Sequence, residues 1–188
     1  MNLIIFGPPG AGKGTQSKFI VKKFQMFQLS TGEFLRNEIS SNTTIGKKIS
    51  SIINTGSLVS DDIVSNLIEK VVSNSKYHNN IIFDGYPRSL NQAKNLDNLL
   101  KKYNQKISLV LKLSVSLETI KKRISERRNL EKRSDDNEEI AVKRYQTYEK
   151  STEPVIEFYK KLNLLKVVDG ERSIDQINKE ISDIIALI

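Results

Sequence analysis

Nine residues near the start of the chain, Gly7-Pro8-Pro9-Gly10-Ala11-Gly12-Lys13-Gly14-Thr15, have the types and order needed to hold a polyphosphate. Glycines let backbone N–H groups converge on phosphate oxygens, a helix opening behind them adds partial positive charge, and a lysine in register reaches the terminal phosphates. Gly14 stands between Lys13 and Thr15, where the common form of such a loop has a hydroxyl residue directly after the lysine. A direct hydroxyl ligand to a metal is therefore not expected. The plain alternative, a tight turn before an ordinary helix, does not account for Lys13.

Of the 30 basic residues only eight are arginine: Arg36, Arg88, Arg123, Arg127, Arg128, Arg133, Arg144 and Arg172. Lysine is the default surface cation of this chain, so arginine marks places where a planar, bidentate phosphate donor is wanted. Asp84 ends an apolar run and is followed by Gly85-Tyr86-Pro87-Arg88, a carboxylate beside a phosphate-binding fork. With no cysteine and a single histidine, His78, neither a thiolate nor a histidine metal site is available.

These groups need elements to position them. A length of 188 residues, 38% of them hydrophobic, suits one compact domain. The longest uninterrupted apolar run, Ile184 to Ile188, is far short of the roughly 18 to 20 residues a membrane helix requires. The N-terminus lacks the pattern of a secretory leader, so a cytoplasmic protein without a membrane partner is expected. Apolar runs at 2–6, 81–83, 108–113 and 165–168 read as strands, separated by stretches with helical spacing. Alternating strands and helices predict an α/β fold with a parallel sheet covered on both faces. Helix starts are expected at Ser30 with Glu33, Ser89 with Gln92, Thr152 with Pro154, and at Ser60, Ser116 and Ser173. Residues 30–59 interrupt the alternation with two helical segments, about 32–39 and 45–53. Residues 127–136 are dominated by charge, with Leu130 the only apolar residue, and read as an irregular surface stretch.

The glycine loop, together with Leu29 to Arg36 (LSTGEFLR), Asp84 to Arg88 (DGYPR) and Arg133 to Glu139 (RSDDNEE), resembles adenylate kinase along nearly the whole chain. The resemblance implies a P-loop nucleoside monophosphate kinase fold with a five-stranded parallel sheet. It implies a core of 1–29, 60–125 and 137–188, a helical NMP-binding insertion at 30–59, and a short lid at 126–136. The activity implied is reversible magnesium-dependent phosphoryl transfer from ATP to AMP, giving two ADP. The partners implied are small nucleotides only, bound by a monomer without structural zinc or nucleic acid.

Carried over residue by residue, the resemblance assigns ATP to Gly10, Ala11, Gly12, Lys13, Gly14, Thr15, Arg123, Arg127, Gly170 and Arg172. It assigns AMP to Thr31, Arg36, Ser57, Leu58, Val59, Gly85, Tyr86, Pro87, Arg88, Gln92, Arg133 and Arg144. Lys13, Arg88, Arg127, Arg133 and Arg144 are the implied catalytic group, and Asp84 the residue that orders magnesium, through water. Thr31 and Gln92 would read the adenine edge, and Asp135 and Asp136 would orient lid arginines. The chemistry agrees: bringing two anionic nucleotides together calls for charge neutralisation and water exclusion rather than a general base.

Named residues discriminate against rival classes. A P-loop GTPase needs Asn-Lys-x-Asp, and the nearest match, Asn178-Lys179-Glu180, continues with Ile181. A nucleic-acid-binding protein would suit the net charge of +8, but the basic residues are spread along the chain rather than clustered. A UMP/CMP kinase on the same fold is the nearer alternative, and Thr31 and Gln92 argue for adenine.

Overall fold

The computed structural model describes residues 1–55, 57–131 and 137–188. Among them, five strands form one sheet: β1 (Asn2–Phe6), β2 (Phe27–Ser30), β3 (Ile81–Asp84), β4 (Ile107–Ser114) and β5 (Leu165–Asp169), in the order β2-β3-β1-β4-β5 and parallel throughout. The central strands β1 and β3 are buried at every residue, as continuous apolar runs must be when both sheet faces are covered.

Because successive strand residues point to opposite faces, β1 divides its side chains between two cores. Ile4 and Phe6 join Phe83, Val110 and Leu29 on one face; Leu3 and Ile5 join Ile82, Leu109 and Leu111 on the other. The first face is covered by α4 (Asp61–Val72), α5 (Leu90–Lys102) and α8 (Glu153–Lys161), through Ile68, Leu96 and Ile156. The second is covered by α1 (Lys13–Phe24) and α9 (Ile174–Ala186), through Ile20, Ile177 and Ile181. A small satellite core of Ile120, Ile124 and Ala141 joins α6 (Leu117–Glu131) to α7 (Glu138–Ser151).

Residues 30–59 contain α2 (Thr31–Ser40) and α3 (Thr44–Asn54). Their close contact depends on Gly46, where a Cβ would lie 2.0 Å from the Glu38 carbonyl oxygen. A short 3-10 turn, Ser75–Tyr77, precedes β3.

Three sequence expectations change. The fifth strand, β2, carries the alternating sequence FQLS and pairs along the sheet edge with β3, so it lacks the continuous apolar run that marks the others. Residues 127–131, expected to be irregular, continue α6 to Glu131. They include good helix formers and extend a helix already anchored by Ile120 and Ile124, so local charge does not stop it. Ser60 and Thr152 precede helices without side-chain capping bonds; Thr152 is buried and its hydroxyl donates to the Arg88 carbonyl instead, 3.4 Å away. The Ser30, Ser89, Ser116 and Ser173 hydroxyls do accept from the first turns of their helices.

Candidate active site

The carboxyl ends of all five strands open on one edge of the sheet. The chain turns from β1 into β2 on one side and reaches β4 on the other, so β1 lies at the switch in strand order where α/β folds bind ligands. The loop leaving β1 there passes directly into α1. Gly12 caps that helix at φ 93° with no side-chain bond, leaving its first turn to offer backbone N–H groups. Gly14 and Thr15 are exposed in that turn, while Ala11 is buried behind it.

The Lys13 ammonium folds back over the loop and donates to the carbonyls of Gly7 at 2.7 Å and Pro8 at 3.0 Å. Removal from water holds its pKa down to about 8; the Asp84 carboxylate opposes that fall, and Arg88, Arg127 and Arg144 add to it. Arg88 is itself shifted down, by burial first and by Arg144 next, with Asp84 opposing and Arg36 adding. Lys13, Arg36, Arg88, Arg127 and Arg144 thus share one electrostatic field with Asp84, although they come from α1, α2, the β3–α5 loop, α6 and α7. Arg36 curls over its own helix start, where a Cβ on Gly32 would stand 3.2 Å from its guanidinium.

On the other side of Asp84 is a cleft lined by Thr31, Leu35, Leu58, Val59, Val64, Gly85, Tyr86, Arg88 and Gln92. Its polar groups are held in definite polarity. The Thr31 hydroxyl donates to the Gly85 carbonyl at 2.9 Å, which leaves its oxygen to accept. Arg88 donates through Nε to the same carbonyl at 2.8 Å, directing the rest of the fork away from it. Gly85 has φ +80°, and a Cβ there would meet Thr31 Oγ1 at 2.9 Å and the Arg88 guanidinium at 3.0 Å, so both backbone and space call for glycine. The buried Gln92 amide accepts from the Arg88 N–H at 2.7 Å and donates to Asp61 at 2.6 Å. Gln92 therefore does not close the capping box expected with Ser89. Burial pushes the Tyr86 phenol up to about 12, keeping it a neutral donor toward the Gln92 carbonyl at 3.3 Å.

At the far side of the loop, Arg123 on α6 donates to the Gly170 carbonyl at 2.8 Å, and Glu171 accepts from the Ser116 N–H and the Thr119 hydroxyl, each at 2.6 Å. The strand-to-helix turn after β5 is thereby tied to the start of α6. Arg172 is drawn the other way, to Glu180 on α9 and to Asp169.

Most of the sequence-assigned residues meet here. Thr31, Leu58, Val59, Gly85, Tyr86, Arg88 and Gln92 line one cleft; Asp84, Arg88, Arg127 and Arg144 act on Lys13, and Arg36 joins the same field through Arg88. Pro87 is buried and Ser57 exposed, and neither is among the lining residues. Arg123 and Gly170 are together, and Arg172 turns from them toward Glu180. Arg133, Asp135 and Asp136 lie outside the described residues. Leu35, Val64 and Asp61 are additions. The two apolar residues carry no chemical signature, and Asp61 reads in sequence as an ordinary acidic residue at a helix start.

Asp84 fits the chemistry of a magnesium ion that takes its other ligands from phosphates and water, since such ions commonly use one or two protein carboxylates. The carboxylate faces the Lys13 region and accepts from Gln28 at 3.0 Å, and no cluster of three or more His, Cys, Asp or Glu residues suited to a metal occurs among the described residues.

Comparison with known proteins places this arrangement in context. The family model for adenylate kinase matches residues 5–164. An adenylate kinase of Pelagibacter ubique is 45% identical over 211 aligned positions, covering 98% of this chain and 99% of the relative. The adenylate kinase of Xanthomonas campestris is 41% identical, with 96% and 97% covered. That of a Caulobacter species is 40% identical over 188 positions, covering both chains in full.

Proposed function

The chain belongs to the adenylate kinase family and is a nucleoside monophosphate kinase transferring a phosphoryl group between ATP and AMP, and on that premise we propose how its residues divide the work. The relatives found support this reading over the UMP/CMP kinase alternative. The carrying observation is the juxtaposition of a glycine loop, whose Lys13 ammonium lies 2.7 Å from the Gly7 carbonyl and in the field of Asp84, Arg88, Arg127 and Arg144, with a separate cleft in which Thr31, Arg88 and Gln92 interrupt an apolar lining.

The loop from Gly10 to Thr15 holds the donor phosphates, and Arg123 with Gly170 takes the donor base. Arg172, engaged with Glu180, contributes less to that contact than the sequence implied. The cleft takes AMP: Thr31 and Gln92 meet the adenine edge, Leu35, Leu58, Val59 and Val64 pack on the base, and Arg36 and Arg88 hold its phosphate. Lys13, Arg127, Arg144 and Arg133 surround the transferring group, where charge spreads over equatorial oxygens in the transition state. Forked donors hold those oxygens in place without moving a proton, so positioning and electrostatics carry the reaction. Asp84 would hold magnesium through water, and the ion supplies further neutralisation of the donor phosphates when bound.

The proposed organisation keeps 1–29, 60–125 and 137–188 as the core, 30–59 as the NMP-binding insertion and 126–136 as the lid, with α6 forming its entry. The enzyme is proposed to act as a cytoplasmic monomer on free nucleotides, without a nucleic-acid partner. Incubation with ATP, magnesium and each of AMP, CMP, UMP and GMP, following diphosphate formation, tests the reading. Rapid use of AMP alone supports it; comparable use of CMP or UMP refutes it.

A further inference from the structure

We propose that Asp61 is a positioning residue for acceptor recognition, fixing which way round the Gln92 amide faces the base. This rests on the proposal above that Gln92 contacts the base of AMP.

A glutamine amide can present oxygen or nitrogen at nearly the same place, and the two orientations read opposite base edges. The oxygen-to-amino, nitrogen-to-ring pairing suits adenine, whereas the reversed amide suits a 6-oxo purine. The surroundings of Gln92 allow one orientation. The Arg88 backbone N–H, 2.7 Å away, can only donate and so must face Oε1. The Asp61 carboxylate, 2.6 Å away, accepts and so must face Nε2. Each contact uses one of the two bonding positions on its amide atom, leaving one N–H and one oxygen lone pair. The Thr31 hydroxyl, already donating to Gly85, adds a second acceptor in the same cleft.

Asp61 is placed for this by two elements. It opens α4 directly after the residues that contribute Leu58 and Val59 to the cleft, and its second oxygen accepts from the exposed Asn91 at 3.1 Å. One carboxylate therefore ties the start of α4 to consecutive residues in the first turn of α5. The burial of Gln92 makes the tie informative, because a buried amide pays for every bond it leaves unmade.

A purely structural role for Asp61 is also available, since an acidic residue in the first turn stabilises a helix. Asp61→Ala and Asp61→Asn separate the two roles: both remove the helix-start charge, but only Asn keeps an oxygen that can accept from Gln92. Steady-state kinetics and thermal unfolding should be measured on these, on Gln92→Ala, and on the Asp61→Ala/Gln92→Ala double variant. Expected for Asp61→Ala is a KM for AMP raised about tenfold, a preference for AMP over IMP lowered at least about fivefold, and KM for ATP within about twofold of wild type. Asp61→Asn should recover most of the AMP affinity. In the Gln92→Ala background, Asp61→Ala should add less than about twofold, since its partner is already gone. Equal effects of Ala and Asn, or a full tenfold effect persisting without Gln92, would overturn the positioning role while leaving Gln92 as a base contact. An unchanged KM for AMP in Gln92→Ala would instead remove the base contact itself, and the inference with it.

Discussion

Replacing Lys13 with methionine should stabilise the ligand-free protein while nearly abolishing its activity. The side chain keeps its length but loses its charge, which in the folded state lies out of water among Arg88, Arg127 and Arg144. A fall from 10.5 to about 8 corresponds to a penalty of about 3 kcal/mol on the charged form. Against its removal stands the loss of two hydrogen bonds, to Gly7 and Pro8, at about 1 kcal/mol each. The net expectation is a gain of about 1 kcal/mol, seen as a rise of about 2–4 °C in Tm for a chain of this size. Its pH dependence has a definite sign. Between pH 8 and 10.5 the unfolded lysine binds more proton than the folded one, so the wild type gains stability over that window and the methionine variant does not. The advantage of the methionine variant should therefore be greatest at pH 7, vanish near about pH 9 and reverse toward pH 10, where the wild type has recovered most of the roughly 3 kcal/mol. Thermal unfolding of both proteins across that range, with turnover measured at pH 7, provides the assay; kcat should fall at least about a hundredfold. A variant less stable than wild type by an amount independent of pH would show that Lys13 is not electrostatically strained, and near wild-type turnover would show that it does not touch a reacting phosphate.

Gly85→Ala, forced to positive φ with its Cβ against Thr31 and Arg88, should cost about 1–2 kcal/mol of stability and raise KM for AMP more than KM for ATP; denaturant titration and kinetics together check it. Arg123→Ala should raise KM for ATP about tenfold with little change for AMP, because its contact with Gly170 lies on the donor side of the loop; equal shifts for both nucleotides in initial-rate measurements would remove that assignment. Leu96→Ala, at a fully buried position on the inner face of α5, should lose about 3 kcal/mol of stability by urea unfolding while the folded enzyme keeps its kcat.

Much of this protein can be read locally. The glycine loop announces itself because glycine, lysine and a following helix must be adjacent in the chain to work, and β1, β3 and β4 show themselves as apolar runs because their burial needs largely continuous apolar sequence, while β5 shows a short apolar run although only Val168 in it is buried. The family resemblance rests on such contiguous segments. The edge strand β2 escaped because strand pairing with β3, rather than local hydrophobicity, makes it a strand. The continuation of α6 through charged residues escaped because the anchoring contacts of Ile120 and Ile124 lie upstream of them. Tertiary structure also decided relations between distant residues of unremarkable type. Thr152 supports Arg88 instead of capping a helix, Arg172 turns to Glu180, and Asp61 meets Gln92 across thirty-one positions of sequence. The sequence alone determines which groups are available to bind phosphate, since that chemistry belongs to residue type and short spacing. Which partner each group faces, and therefore which way round it presents itself to a ligand, exists only after the sheet brings its carboxyl ends together.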